Sequence, residues 1–281
     1  MNAICLALLL AAMPASPENH RTPAIDRAFN RMYNFDFPGM YSVLDEYTRA
    51  HPEDPMAYAA RSVGYLFSEL HRMEILATEF FTDDEKVTDR QKLKPDLVVR
   101  ARLFQMTQEA RRRAKKVLVS KQNDRNAMSA ICTAAEVETD YTILIEKRYL
   151  RSFSLSREAQ KQARKLLAMD PPEVDAHLTL GMAEYVVSNM NWFFRVLVRF
   201  NQIEGNKQKA IENLKDVVHG GHYYAPLAKI LLSVIYLREK MPHQALTLMQ
   251  EMERDFPENP LIRNEVKKIS EQITKTAAIK N

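Results

Sequence analysis

Few side chains in this sequence are spaced for chemistry. His219-Gly220-Gly221-His222 resembles a metal pair at first sight. A metal needs three or four ligands at fixed geometry, and the motif itself supplies two. The Gly-Gly step breaks a helix, so the segment reads as a stop between two helices. Asp83-Asp84-Glu85 falls in a polar connection and reads as a helix cap, not as an acid–base pair. The chain has no Gly-rich phosphate loop, no G-x-S-x-G elbow and no H-E-x-x-H. Of its two cysteines, Cys5 lies in the first apolar run. Cys132, within Ala130-Ile131-Cys132-Thr133-Ala134, would remain alone after export, unable to form an intramolecular disulfide. It reads as a small packed hydrophobe. No catalytic, cofactor-binding or metal-binding residue is expected, and the protein is not expected to be an enzyme.

Residues suited to binding are easier to find. Residues 188–205 include Asn189-Met190-Asn191-Trp192-Phe193-Phe194-Arg195-Val196-Leu197-Val198-Arg199-Phe200, with the only Trp of the chain. A helix whose polar residues there are only Arg195 and Arg199 is apolar nearly all round, so it must be buried or must bind something. Trp192, Phe193, Arg195, Arg199 and Phe200 are residue types enriched at binding hot spots. Packing into the core is the competing reading. Arg111, Arg112, Arg113, Lys115 and Lys116 form the densest basic cluster. They stand on a helix whose apolar stripe runs Leu103, Met106, Ala110, Ala114 and Val117. Arg112, Lys115 and Lys116 point away from that stripe. A solvated face is the plain reading, and an acidic partner or an anionic lipid surface the functional one. No aromatic residue interleaves with these charges, so nucleic acid is not expected. Tyr223 and Tyr224, just after the Gly-Gly stop, open the next helix where they can line a groove.

The elements that position these residues are helical. Only 6 of the 281 residues are Gly, which disfavours β-hairpins and nucleotide folds. Ala, Leu, Met, Lys, Arg, Glu and Gln fill the chain instead, and these are good helix formers. The net charge of +4 is a mild excess. Ala3 to Met13 is an uncharged apolar run, too short to span a bilayer but suited to the core of an export signal, followed by small residues at Ala15-Ser16. Residues 1–16 are therefore expected to be a signal peptide, with one domain over 17–281 exported to the periplasm or cell envelope. A buried N-terminal helix in a cytoplasmic protein is the alternative.

A short phrase recurs: acidic or amide residues around Pro, then an apolar helix. It occurs at His51-Pro52-Glu53-Asp54-Pro55, at Asp170-Pro171-Pro172-Glu173 and at Phe256-Pro257-Glu258-Asn259-Pro260, with a weaker form at Gln122–Ala127. The residue before Pro is driven out of the α region, which stops a helix. Asp or Asn then caps the next one, and Pro is tolerated in its first turn. Between the stops the apolar period is that of a helix. Ile25, Ala28, Phe29, Met32 and Tyr33 form one stripe. Met40, Val43, Leu44 and Tyr47 form the next, after a break at Phe37-Pro38-Gly39. Helix 55–81 and helix 97–119 are the long ones, joined by Thr82 to Pro95. No segment alternates in the manner of a strand.

The segment Tyr224 to Pro257 resembles a tetratricopeptide repeat, with Leu232, Ser233 and Tyr236 in its first helix, Ala245 at the small position of the second and Pro257 closing it. Leu180-Gly181 with Ala210 is a second match, interrupted by the 188–205 insertion. The resemblance implies an all-α, right-handed superhelical stack of antiparallel helix hairpins. Five hairpins are expected, at 24–51, 55–120, 124–170, 173–219 and 223–256. A capping helix at 260–275 would present Glu265, Lys267, Lys268 and Glu271 outward. Such arrays generally hold a protein or peptide in a concave groove. The function expected first is thus a scaffold for a protein partner, with peripheral membrane contact as a further option. The second expectation is an accessory of a solute or lipid transport system, binding a solute-binding protein or a small apolar ligand. Oligomeric state is not legible in the sequence.

Overall fold

The computed structural model describes residues 22–76, 94–169, 171–189 and 205–280. Trp192, Phe193, Arg195, Arg199 and Phe200, Asp83-Asp84-Glu85 and the N-terminal apolar run lie outside them. The fold is all-α. The helices are α1 (Pro23–Tyr33), α2 (Phe37–Ala50), α3 (Pro55–Arg72), α4 (Leu97–Ser120), α5 (Arg125–Asp140), α6 (Tyr149–Leu167), α7 (His177–Ser188), α8 (Lys207–Gly220), α9 (Ala225–Arg238), α10 (Pro242–Asp255) and α11 (Pro260–Lys280). A π-turn, Tyr141–Ile145, follows α5, and a 3-10 turn, Val174–Ala176, precedes α7. Consecutive helices pack as hairpins, α1 with α2, α3 with α4, α5 with α6, α7 with α8 and α9 with α10, and α11 closes the row on α10.

The recurring phrase does what its chemistry dictates. The Asp54 carboxylate accepts from the Met56 N–H at 2.9 Å ahead of Pro55. Asp124 accepts from Ala127 N–H at 2.9 Å. The Asn259 amide oxygen accepts from Leu261 and Ile262 N–H at 3.0 and 3.3 Å, ahead of Pro260. Each cap satisfies donors that the first helical turn leaves unpaired.

Three boundaries differ from expectation. The first break is Asn34 to Asp36, with Phe35 at φ 65°; Asp36 caps α2, so Phe37-Pro38-Gly39 is its first turn, where Pro is well tolerated. Helix α3 ends at Arg72 and not at residue 81, because Glu74 adopts φ 57° and Ile75 N–H folds back onto the Leu70 carbonyl at 2.8 Å, a hydrogen-bonded stop. Helix α11 runs to Lys280, and Glu265 on it is buried, facing inward, while Lys267, Lys268 and Glu271 are exposed.

Small residues set how closely the hairpins close. A β-carbon on Gly181 would lie 3.2 Å from the Ala210 carbonyl oxygen and 3.1 Å from Asn213 Cβ, so α7 and α8 touch almost backbone to backbone. Ser233 faces Ala245 across α9 and α10, its hydroxyl donating to the Ala245 carbonyl at 3.4 Å.

The two ends of the stack meet. Tyr33 Oη on α1 donates to the Tyr223 carbonyl, 190 residues away, at 3.0 Å. Asn259 Nδ2 donates to the Tyr33 carbonyl at 2.7 Å, and Glu258 N–H donates to Asn34 Oδ1 at 3.2 Å. Phe29 stacks on Tyr223 at 4.8 Å and meets Tyr224 edge-on at 5.8 Å. Tyr33 lies 5.3 Å from Phe256. A simple repeat array contacts only its neighbours; here the first hairpin is also bonded to the last, and one apolar core runs through both.

Candidate ligand cavity

The first helices of the hairpins, α3, α5, α7 and α9, together with α1 and α11, turn residues toward a common interior. There they line a cavity of about 280 Å³, just below the range of about 300–1,000 Å³ typical of ligand sites. Its wall is mostly apolar: Val63, Leu66, Phe67 and Leu70 from α3, Leu178, Met182, Val186 and Val187 from α7, and Leu227, Ile230 and Leu231 from α9. The π-turn after α5 contributes Ile143 and Leu144. Its wider winding carries these two into the cavity while Tyr141 and Thr142 stay fully buried behind them. Such irregular turns recur at functional sites.

One sector of the wall is polar. Glu136, Thr139 and Asp140 on α5, Ser152, Ser156 and Gln160 on α6, and Thr179 on α7 all line it. Glu136 and Asp140 are four residues apart, one helical turn, and so share a face of α5. Glu136 accepts a hydrogen bond from the Thr179 hydroxyl. Burial, opposed by that hydrogen bond and reinforced by Asp140 and Asp175, pushes its carboxyl from 4.5 up to about 8. Asp140 is pushed from 3.8 to about 7 by burial. It lines the cavity but keeps accessible surface, so it is less secluded there than Glu136. Gln160, almost fully buried, donates to Ser156 Oγ at 2.9 Å. A second depression, between Lys268, Glu271, Gln272, Lys275 and Thr276, is an open dent among exposed side chains of α11.

Buried acids also hold the frame of this chamber. Asp175 accepts from the backbone N–H groups of His222, Tyr223 and Tyr224 at 2.7, 2.8 and 3.3 Å; burial lifts its pKa to about 6 against the pull of those bonds. Glu69 accepts from Asp96 N–H at 2.8 Å and from Arg72 at 2.7 Å, so it ties the two ends of the α3–α4 connection together. Glu184 does the same for the α7–α8 connection, accepting from Gly205 and Asn206 N–H at 2.9 Å each.

The sequence-selected residues fall in different places. Tyr224 lines the cavity and is buried, its hydroxyl 2.8 Å from that of Thr133. Tyr223 is stacked on Phe29 at the closure. In the basic cluster, Arg112, Lys115 and Lys116 are exposed and Arg111 and Arg113 half-buried. Much of its charge is matched internally. Arg111 pairs with Glu138 at 3.2 Å and Glu158 at 2.7 Å, Arg112 with Glu109 at 3.0 Å, and Lys116 with Glu53 at 3.4 Å. Arg113 pairs with Glu109 and lies over the Tyr58 ring at 3.8 Å. The cluster and the cavity are not brought together. His219 and His222 also part company. His219 donates to the Lys215 carbonyl of its own helix at 2.6 Å, and His222 reaches Asp26 on α1 at 2.7 Å. Among the described residues no group of three or more His, Cys, Asp or Glu could hold a metal ion.

Glu136 and Asp140 do not stand out by motif or spacing for chemistry. A signal was there. Glu136 and Asp140 are like charges at i and i+4, an unfavourable pair on a solvated helix face, set among Ala130, Ala134 and Val137, which form a core stripe. No protein-family model matches the chain, and no curated protein matches it.

Proposed function

We propose that this protein is a non-catalytic carrier that holds a small, largely apolar molecule in the chamber enclosed by its stacked hairpins. The observation that carries this reading is the cavity itself: a mostly apolar wall drawn from separate hairpins, with a cluster of hydrogen-bonding groups on α5, α6 and α7 and a few more on α1, α9 and α11. Well-packed interiors leave few voids larger than a water molecule. A space of this size and polarity pattern is what a ligand site needs. The tetratricopeptide resemblance agrees with it, since the concave side is where such arrays bind. The apolar run at residues 3–13 supports an exported carrier, and among the described residues no helix is long and apolar enough to cross a membrane.

Native mass spectrometry of the purified full chain, together with titration by the neutral fluorescent probe N-phenyl-1-naphthylamine, tests the reading. Saturable one-to-one probe binding is expected. Ala183→Phe with Val186→Phe, both on the cavity wall, should abolish it while leaving the helical circular-dichroism spectrum intact. Binding unaffected by filling the cavity would overturn the reading.

A protein-binding scaffold is the second reading, favoured by a separate observation. Leu97 and Val98 at the start of α4 and Leu150 at the start of α6 are 75%, 59% and 81% exposed. Both helices begin at the edge of the stack where the first helix of each hairpin turns into the second. Exposed apolar side chains grouped on one rim suit docking of a partner. Replacing all three by Ser should release a partner recovered by cross-linking while leaving probe binding intact.

A further inference from the structure

We infer that the molecule taken up by the cavity is an amphiphile with a protonated amine head, its ammonium group seated between Glu136 and Asp140 and its apolar body running along α3, α7 and α9. This rests on the carrier reading above and adds the chemistry of the ligand to it.

The charge of the wall carries the inference. Among the described lining residues there is no Lys, Arg or His, and there are three carboxyl groups, those of Glu136, Asp140 and Glu265. Glu265 is paired with Lys268 at 3.0 Å. Among the described residues neither Glu136 nor Asp140 has a basic group within ion-pair distance. A carboxylate taken from water without a counter-charge is strongly disfavoured, and two of them one turn apart on α5 repel as well. Burial therefore raises Glu136 toward its neutral form, and Asp140, although it keeps accessible surface, is raised in the same direction. A ligand ammonium supplies the missing counter-charge to both at once, and its three N–H donors match two carboxyls plus one neighbouring oxygen. Thr139 and Ser156 offer such oxygens on the same sector. An anionic head meets the opposite situation. A fatty acid carboxylate or a phosphate monoester would add negative charge to a wall that already disfavours its own. Like-charge juxtaposition is a means of rejecting wrong ligands. The apolar remainder of the wall excludes small hydrophilic amines, which would leave most of the chamber uncovered.

The atoms of Glu136 divide the roles further. Its Oε1 already accepts from Thr179, which fixes the carboxyl on the side of α7 and leaves Oε2 for the ligand. Asp140 is bound to no other described side chain and can follow the head.

Displacement of N-phenyl-1-naphthylamine from the full chain at pH 8 by decylammonium, decanol and decanoate, three probes of one chain length, tests this. Decylammonium is expected to displace the probe at least tenfold more tightly than decanol, and decanoate at least tenfold more weakly. In the Glu136→Gln, Asp140→Asn double variant the advantage of the amine over the alcohol should fall below twofold, with decanol affinity unchanged. Because Gln and Asn keep the volume and hydrogen-bonding capacity of the acids, unchanged decanol binding also reports an intact cavity. If the variant loses decanol as well, the single variants decide, each expected to lose at least threefold for the amine alone. Amine and alcohol binding equally, or decanoate binding best, would overturn the assignment of the head while leaving the carrier reading intact. Failure of all three to displace the probe, or of the probe to bind, would overturn both.

Discussion

Asn259 is the point at which the closed architecture is most directly testable. Its side chain is 4% exposed and does two jobs. Oδ1 caps α11 by accepting from Leu261 and Ile262, and Nδ2 donates to the last carbonyl of α1, that of Tyr33, at 2.7 Å. Replacing Asn259 by Ala removes a cap, which costs about 1 kcal/mol. It also leaves a carbonyl without its partner in a buried seam, which costs about 1–3 kcal/mol. Together these amount to about 2–4 kcal/mol. Asn259→Ser keeps an N-cap oxygen but is too short to reach Tyr33, so only the second part is lost. Native-state hydrogen exchange reads the difference locally. If the seam holds α1, the amides of residues 26–33 should exchange roughly 30- to 800-fold faster in Asn259→Ala, at about 1.4 kcal/mol per tenfold. In Asn259→Ser, which loses only the second part, they should accelerate about 5- to 160-fold, while those of α11 stay protected. Unchanged exchange of α1 in both variants would refute the idea that the ends of the stack are joined by this residue.

Three further outcomes follow from the same geometry. Glu136, Asp140 and Asp175 all have folded-state pKa values above the ordinary carboxylate range, at about 8, 7 and 6. The folded chain therefore holds more protons than the unfolded one between about pH 4 and 8, and these groups make stability fall as pH rises through that window. The groups facing Glu136 are Cys132, Asp140, Asp175, Thr179 and Tyr224, with no base among them. Glu136→Gln should gain in melting temperature over the natural chain progressively from pH 5 to 8, and a constant difference would contradict the buried-acid account. Gly221→Ala should destabilise by about 1–3 kcal/mol in urea unfolding, because its β-carbon would lie 2.5 Å from the Val217 carbonyl oxygen and 2.6 Å from Asp175 Oδ1. Gly220→Ala, whose nearest neighbour would be Val174 at 3.4 Å, should be neutral or stabilising by up to about 1 kcal/mol. Cys132, 4% exposed with its thiol pushed up by burial, should react with a disulfide reagent only on unfolding; rapid labelling of the native chain would contradict its packing.

The hairpin frame was legible because each of its signals is local. The Asp-Pro and Asn-Pro stops need only a few neighbouring residues to act, and Asp54 and Asn259 cap helices as their positions imply. Gly181 and Ala210 could be matched as small residues without knowing what they touch. The closure was not legible, since no local pattern ties Tyr33 to Tyr223 or Asn259. Gly-Gly at 220–221 was read as a helix stop, which it is, but Gly221 has φ −69° and needs no special backbone freedom. It is Gly because Asp175 and Val217 crowd it. The inward turn of Glu265 was missed because an acid on a terminal helix is ordinarily solvated. The carboxyls of α5 were passed over for the same reason, and only a chamber on the far side of the helix gives them a meaning.

The bond between the first helix and the last also governs how the chain is made. Tyr33 leaves the ribosome long before Tyr223, its partner 190 residues on. At about 5–20 residues per second the wait is roughly 10–40 s. During that time Phe29, Met32 and Tyr33 on α1, later almost completely buried, lack the cover that Tyr223, Tyr224 and Phe256 supply. An open repeat array can fold behind the ribosome unit by unit. This one completes its first unit only when its last arrives, so a chain cut short before residue 223 is left with an uncovered apolar face on α1, and quality control by a chaperone or protease can recognise the incomplete product there.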